Sequence, residues 1–194
     1  VATPLLHTVW KFSETSRDQV RASLTRSYRS PNLGQLIGRP SVSRTDPAPG
    51  ANTELTADSA GNPALKPEVA IGIDLAIERY LADGGVLSAN LFHRRINDLI
   101  RSVVALEDVS WSPGQPRYVS RPQNIGKATT QGLELEAKFR LDQLIDDGPR
   151  TEVRANASIF RSRVDAVPGP DNRLAEQPGG TLNFGVDHRF RGTP

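Results

Sequence analysis

The segment Val69 to Leu81 constrains the fold most, because Val69, Ile71, Ile73, Leu75 and Ile77 alternate with Ala70, Gly72, Asp74, Ala76 and Glu78. Period two is the signature of a strand with one apolar and one polar face, whereas a helix would scatter these isoleucines around its circumference. Thr130 to Leu141 repeats the pattern, with Leu133, Leu135, Ala137, Phe139 and Leu141 opposite Glu134, Glu136, Lys138 and Arg140. So do Asp18 to Tyr28 and Thr181 to Phe190. Leu5 to Ser13, Val86 to Arg101 and Thr151 to Val164 share the length but carry polar residues such as His93 and Arg161 on the apolar side. Seven strands are expected. Most run to about ten residues, the length a tilted strand needs to cross a bilayer, where strands of soluble domains average about five or six.

The connections between these strands alternate in length. Ser13 to Arg17, Ala82 to Gly85 and Asp142 to Arg150 are short, while residues 29–68, 102–117 and 165–180 are long and rich in Pro, Gly, Ser or Thr. Residues 118–128 read as an extension of the strand that follows. Outer-membrane barrels combine short periplasmic turns, long outer loops and strands alternating apolar-out with polar-in. The expected fold class is therefore all-β, an antiparallel transmembrane β-barrel, with the three long stretches as outer loops. Trp10, Phe12, Tyr28, Phe139 and Phe190 fall on the apolar faces near strand ends, as an aromatic girdle would. Tyr80, Phe92 and Phe160 have the other parity and either face the lumen or mark bulges. Charged inner faces suit a wide barrel, since barrels of about eight strands are filled by their own side chains. Residues 1–194 are thus expected to be a partial barrel whose remaining wall lies elsewhere, and the absence of methionine points to a processed or excerpted chain.

Composition removes other classes. Basic and acidic residues number 24 and 22, interspersed along the chain rather than gathered in one stripe, so no nucleic-acid partner is expected. Only Lys11, Lys66, Lys127 and Lys138 are lysines; the other basic residues are arginines. Without cysteine there is no disulfide, thiolate metal site or cysteine nucleophile. No apolar run approaches the roughly 20 residues of a spanning helix. The start, Val-Ala-Thr-Pro, is not a secretory signal, so any signal is expected upstream.

Asn62-Pro63-Ala64-Leu65-Lys66-Pro67-Glu68 before a long alternating strand resembles the run by which TonB-dependent receptors leave an outer loop and enter the barrel. Residues 88–100 look like the returning strand. Asn124-Ile125-Gly126-Lys127-Ala128 with Gly132-Leu133-Glu134-Leu135-Glu136 looks like the next, and Tyr28-Arg29-Ser30-Pro31 with Leu33 and Leu36 resembles the stretch preceding the first. Together they cover about residues 26–139 in the family's order. The resemblance implies an internal section of the later half of a barrel of about 22 strands. It further implies a cell outer-membrane location in contact with lipid, uptake of a scarce nutrient such as a ferric siderophore, and energy from the TonB system. The plug, the TonB-coupling segment and a carboxy-terminal closing aromatic are not in this section, which stops at Gly192-Thr193-Pro194.

Other motifs have plainer readings. Pro63 and Pro67 hold their neighbours extended and suit the mouth of a strand, and Gly72 and Gly132 mark bulges or close packing. Gly126-Lys127-Ala128-Thr129 fails as a phosphate loop, with Arg121 where a glycine is required and no hydroxyl straight after the lysine. His7, His93 and His188 lie on separate strands without ligand spacing, so no metal site is expected. Glu134 and Glu136 read as a lumenal charge ladder paired with Lys138, Arg140 and Arg154 rather than as acid/base chemistry. Asn156-Ala157-Ser158, inside a strand, is a chance match to a glycosylation acceptor. No catalytic residues, cofactor or enzyme activity are expected. Arg39, Arg44 and Arg117 are the candidate contacts to an anionic chelate, because guanidinium pairs well with carboxylates; the plainer reading is solvated loop arginines. Uptake receptor, passive porin-like channel and soluble all-β binding domain remain as functions.

Overall fold

The computed structural model describes residues 2–188 and Phe190, and its regular secondary structure is almost wholly strand. These are β1 (Leu5–Lys11), β2 (Gln19–Arg29), β3 (Asp58–Ser59), β4 (Glu68–Tyr80), β5 (Val86–Asn97), β6 (Ile100–Glu107), β7 (Arg117–Asn124), β8 (Ala128–Arg140), β9 (Thr151–Val164) and β10 (Gly180–His188). One four-residue helix, α1 (Leu33–Leu36), lies in the long stretch between β2 and β4. Seven strands form one sheet in the order β1-β2-β4-β5-β8-β9-β10, and β3-β7-β6 form a second. The first sheet is a meander, and its seven strands are those expected from the alternation. Arg189 and the carboxy-terminal residues 191–194, for which the sequence also carries expectations, lie outside the described residues.

The chain divides into two compact units, residues 1–27, 70–95 and 128–194, and residues 28–69 and 96–127. In the first, the large sheet is inside out by the standard of a soluble protein. Ile73 is 50% and Leu75 48% exposed, while Glu78 on the other face is 8% exposed. The polar face lines a cleft of about 710 Å3 that includes His7, Arg21, Asp74, Asn90, Glu134 and Glu136. Neighbouring strands tie this face together. Arg21 pairs with Glu78, which also accepts from Gln19 at 2.8 Å; Arg94 meets Asp74 at 3.2 Å; and Asn90 donates to Glu134 at 3.1 Å.

Three aromatic residues of unexpected parity belong to this polar face. Arg17 lies over the Tyr80 ring, and Phe92 and Phe160 meet at 6.1 Å between ring centroids. Gly132 lies under that pair: a Cβ there would come within 2.7 Å of both Phe92 and the Ile159 carbonyl. A side chain at Gly72 would likewise collide with Thr25 and Arg94. Trp10, Phe12, Tyr28 and Phe190 are exposed on the apolar side.

Two expectations change. Val86 to Arg101 is not one strand: β5 stops at Asn97, Asp98 takes φ 55°, and β6 begins at Ile100. Residues 118–128 do not extend β8, because Gly126, at φ 123°, breaks the chain there. Both interruptions occur at one level, where Leu99 donates to the Gly126 carbonyl and Ile125 to that of Leu99. Asp tolerates the left-handed region through its short polar side chain, and glycine enters it without steric cost. Alternation alone cannot signal such a break, since the apolar pattern resumes beyond it. Stretch 102–117 is accordingly a loop only between Glu107 and Arg117.

The opposed faces yield a prediction for the full-length protein. Ile73→Arg or Leu135→Arg should sharply reduce heat-modifiable, protease-resistant barrel in outer membranes, since a charge against the bilayer midplane costs about 2 to 4 kcal/mol. Glu136→Arg, on the polar face, should leave most of it intact. Equal losses would contradict the assignment of faces.

Candidate ligand-binding site

The second unit is made from long connections, yet it is ordered by side chains that imitate backbone. Asn52 donates to the Tyr118 carbonyl at 2.9 Å and accepts from the Tyr118 amide at 2.7 Å. Asn124 does the same with Lys66, at 3.0 and 2.9 Å, and also donates to the Asp98 carbonyl. An amide side chain carries the same donor and acceptor as a peptide group, so it can complete a ladder where no strand runs. The resemblance motif acquires a physical role here. Asn62 accepts from the Ala64 amide and donates to the Pro122 carbonyl; Pro67 immediately precedes β4; and Glu68 accepts from the Ile100 amide at 2.8 Å and from Arg29 at 2.7 Å. Gly61 passes so close to the Ile37 carbonyl that a Cβ would lie 2.2 Å from its oxygen.

One face of the β3-β7-β6 sheet is the packed interior of this unit. Ala60, Val109 and Val119 form its apolar centre, with Trp111 against them. Beside them Arg117 and Asp58, both 0% exposed, form a two-pronged ion pair at 2.7 and 2.8 Å. Asp58 also accepts from the Trp111 indole at 2.7 Å and the Ser43 amide at 2.9 Å. Arg117 also donates to the carbonyls of Asp46 and Gly50. The pair thereby pins residues 43–50 to the sheet. The Arg117 guanidinium holds the Asp58 carboxyl down at about 2 against the opposing effect of burial, and Asp58 in turn raises Arg117.

The three candidate arginines therefore separate. Arg117 is withdrawn from solvent and its donors are spent on Asp58 and loop carbonyls, which corrects its reading as a loop contact to a ligand. Its position, first in a strand and level with Glu107, is not visible in local sequence. Arg39 and Arg44 are exposed and make no hydrogen bond or ion pair among the described residues. Arg39 borders a cleft of about 630 Å3 within this unit, together with Gln35, Ser41, Ser59, Ser102 and Ser120. Sequence reasoning passed over these serines, because hydroxyl residues in a loop-rich stretch carry no signal until strand register aligns them.

The expected charge ladder also differs in its partners. Arg140 pairs with Asp142 at 2.9 Å and Arg154 with Glu152 at 2.7 Å, so each arginine satisfies a neighbour on or beside its own strand instead of Glu134 or Glu136. His7 bonds Ser23, His93 Gln131 and His188 Thr151, and among the described residues no cluster of three or more His, Asp or Glu is arranged to hold a metal.

A meander of long strands, polar on the clefted face and apolar on the exposed one, defines a section of transmembrane β-barrel wall. Residues 1–193 match the family described as TonB dependent receptor-like, beta-barrel, and the chain belongs to that family. It is 32% identical over 81 residues to the vitamin B12 transporter BtuB of Vibrio vulnificus, a stretch covering 42% of this chain and 12% of that protein. Its fold is similar to a point mutant of the ferric enterobactin receptor PfeA of Pseudomonas aeruginosa (24% identity, TM-score 0.65, 98% of this chain and 26% of that one). It is also similar to the siderophore receptor PirA of Acinetobacter baumannii (21% identity, TM-score 0.64, 98% and 27%). The chain thus spans about a quarter of the solved receptors and 12% of BtuB.

The buried pair generates a prediction. Arg117→Ala should destabilise the second unit by about 3 to 5 kcal/mol, because a carboxylate left buried without its partner is costly. Hydrogen exchange at the Val119 and Ser120 amides in the full-length protein should accelerate accordingly. Because the Asp58 carboxyl is depressed in the folded state, the stability it confers is complete above its ordinary value near 3.8 and is lost as pH falls toward about 2. The same amides should therefore lose protection across that acid window in the unmutated protein, and much less so in Asp58→Asn, which starts from a weaker baseline.

Proposed function

We propose that this chain forms wall and outer loops of an outer-membrane receptor that takes up a scarce, chelated nutrient, such as a ferric siderophore, with energy from the TonB system. The observation that carries the reading is the inverted large sheet, with an apolar face suited to lipid and a clefted polar face suited to a watery lumen. Membership of the receptor family supports it, as do the names of its relatives, which include a vitamin transporter and siderophore receptors. In this reading the TonB contact is made by other parts of the receptor, the polar face borders the transport path, and the role is not enzymatic. Arg39 and Arg44, loop arginines that are exposed and make no hydrogen bond or ion pair among the described residues, are the proposed contacts to an anionic ligand.

The test is uptake by cells carrying or lacking the full-length protein under iron or cobalamin limitation. Accumulation of a labelled ferric chelate or cyanocobalamin should require both the protein and an energised TonB system. Unsaturable permeation of small solutes that persists without TonB would instead identify a passive channel.

A further inference from the structure

Strand register gives the second face of the β3-β7-β6 sheet a chemistry unlike its packed face. Ser41 bridges to Ser59, Ser59 lies beside Ser120 in the parallel pair β3-β7, and Ser120 lies opposite Val104 in β6-β7. Residues abreast in neighbouring strands point to the same side of a sheet. Ser41, Ser59 and Ser120 therefore form one row, and Ser102, two residues before Val104, projects from the same face. Asp58 and Val119, one residue before Ser59 and Ser120, point the opposite way into the packed interior, as Arg117 does two residues before Val119. The Asp58–Arg117 pair thus anchors the sheet that displays the serines.

All four serines line the cleft of about 630 Å3 that Arg39 borders. Among the described residues none of their hydroxyls is engaged in a hydrogen bond, and the cleft lining includes neither a carboxylate nor an aromatic ring. The site therefore offers one unneutralised guanidinium and several free hydroxyls. A cation meets the positive charge of Arg39 there with no carboxylate to offset it. Flat aromatic ligands gain most by stacking on rings, which this lining does not supply. A carboxylate fits both features: its two oxygens match the guanidinium fork, and their remaining lone pairs accept from hydroxyls. The volume lies within the range of small-molecule sites, about 300 to 1,000 Å3.

We infer that the row Ser41–Ser59–Ser120, with Ser102 and Arg39, is a subsite for a carboxylate-bearing ligand, a metal chelate of the hydroxycarboxylate class. This deepens the receptor reading and rests on it. Arg39 supplies the counter-charge, the serines bind oxygens that the guanidinium leaves free, and the buried ion pair keeps the row in register.

The test measures equilibrium binding of ferric citrate, a ferric triscatecholate, cyanocobalamin and inorganic phosphate to the purified full-length receptor and its variants, each checked for a heat-modifiable barrel. Ferric citrate should bind saturably. Arg39→Gln should weaken it by about 10- to 100-fold, the range for a lost charge-assisted hydrogen bond, and Arg39→Lys should restore part of the affinity. Ser59→Val with Ser120→Val should weaken it further, while Lys127→Gln, an exposed change outside the cleft, should not. Citrate binding indifferent to the Arg39 and serine changes would overturn the subsite. So would phosphate competing as well as citrate, or binding of the triscatecholate or cobalamin alone, although that last result leaves the receptor reading intact. If the TonB-dependent uptake assay also fails for every chelate and for cobalamin, the receptor reading itself falls.

Discussion

The register of the large sheet is the constraint on which the rest of the molecule depends. Side chains alternate faces with every residue, so a slip of one position would move the isoleucines of β4 onto the polar face and Asp74 and Glu78 onto the apolar one. Cross-strand contacts hold the register from the polar side. Glu78 takes Arg21 and Gln19 from β2, Asp74 takes Arg94 from β5, and Glu134 takes Asn90. In a soluble protein the apolar face would perform this function by packing. Here that face is exposed, and specificity rests on polar pairing together with the steric fit of Phe92 and Phe160 over Gly132.

The small sheet solves a different problem. Long connections expose many peptide groups, and a buried one without a partner costs free energy comparable to a lost hydrogen bond. Asn52, Asn62 and Asn124 supply partners where no strand is available, and Glu68 caps the Ile100 amide. The Asp58–Arg117 pair then closes the loop at residues 43–50. Removing both charges from water is expensive, and the cost is offset only because their hydrogen-bonding capacity is almost fully used. Such a pair gives geometric definition more than net stability, which suits a segment whose proposed task is to hold a row of hydroxyls at fixed spacing.

The resemblance motif belongs to this architecture. Its conspicuous residues, Asn62, Pro67, Glu68 and Asn124, all act where loop becomes strand. They join the connection before β4 to the interrupted hairpin of β6 and β7. Their role is structural, and it positions the cleft without lining it. The proposed specificity lies instead in Arg39 and the serines, whose surroundings carry no comparable motif.

The sequence by itself determined the seven strands of the large sheet and, where alternation is regular, as in β2, β4, β8 and β10, their two faces, because a sustained period-two pattern has one physical solution. The three short connections were equally legible. Tertiary structure alone decided what the long connections do. Asp98 and Gly126 interrupt two strands at one level, a coincidence that neither local pattern reveals, and from this break arises the separate sheet of β3, β7 and β6. Arg117 and Arg39 look alike in sequence, as arginines in polar, proline-containing stretches. They part only when Asp58, 59 residues away, arrives beside one of them and, among the described residues, no carboxylate pairs with the other. The serine row is likewise a product of register, since Ser41, Ser59 and Ser120 become neighbours only through hydrogen bonds between strands distant in the chain.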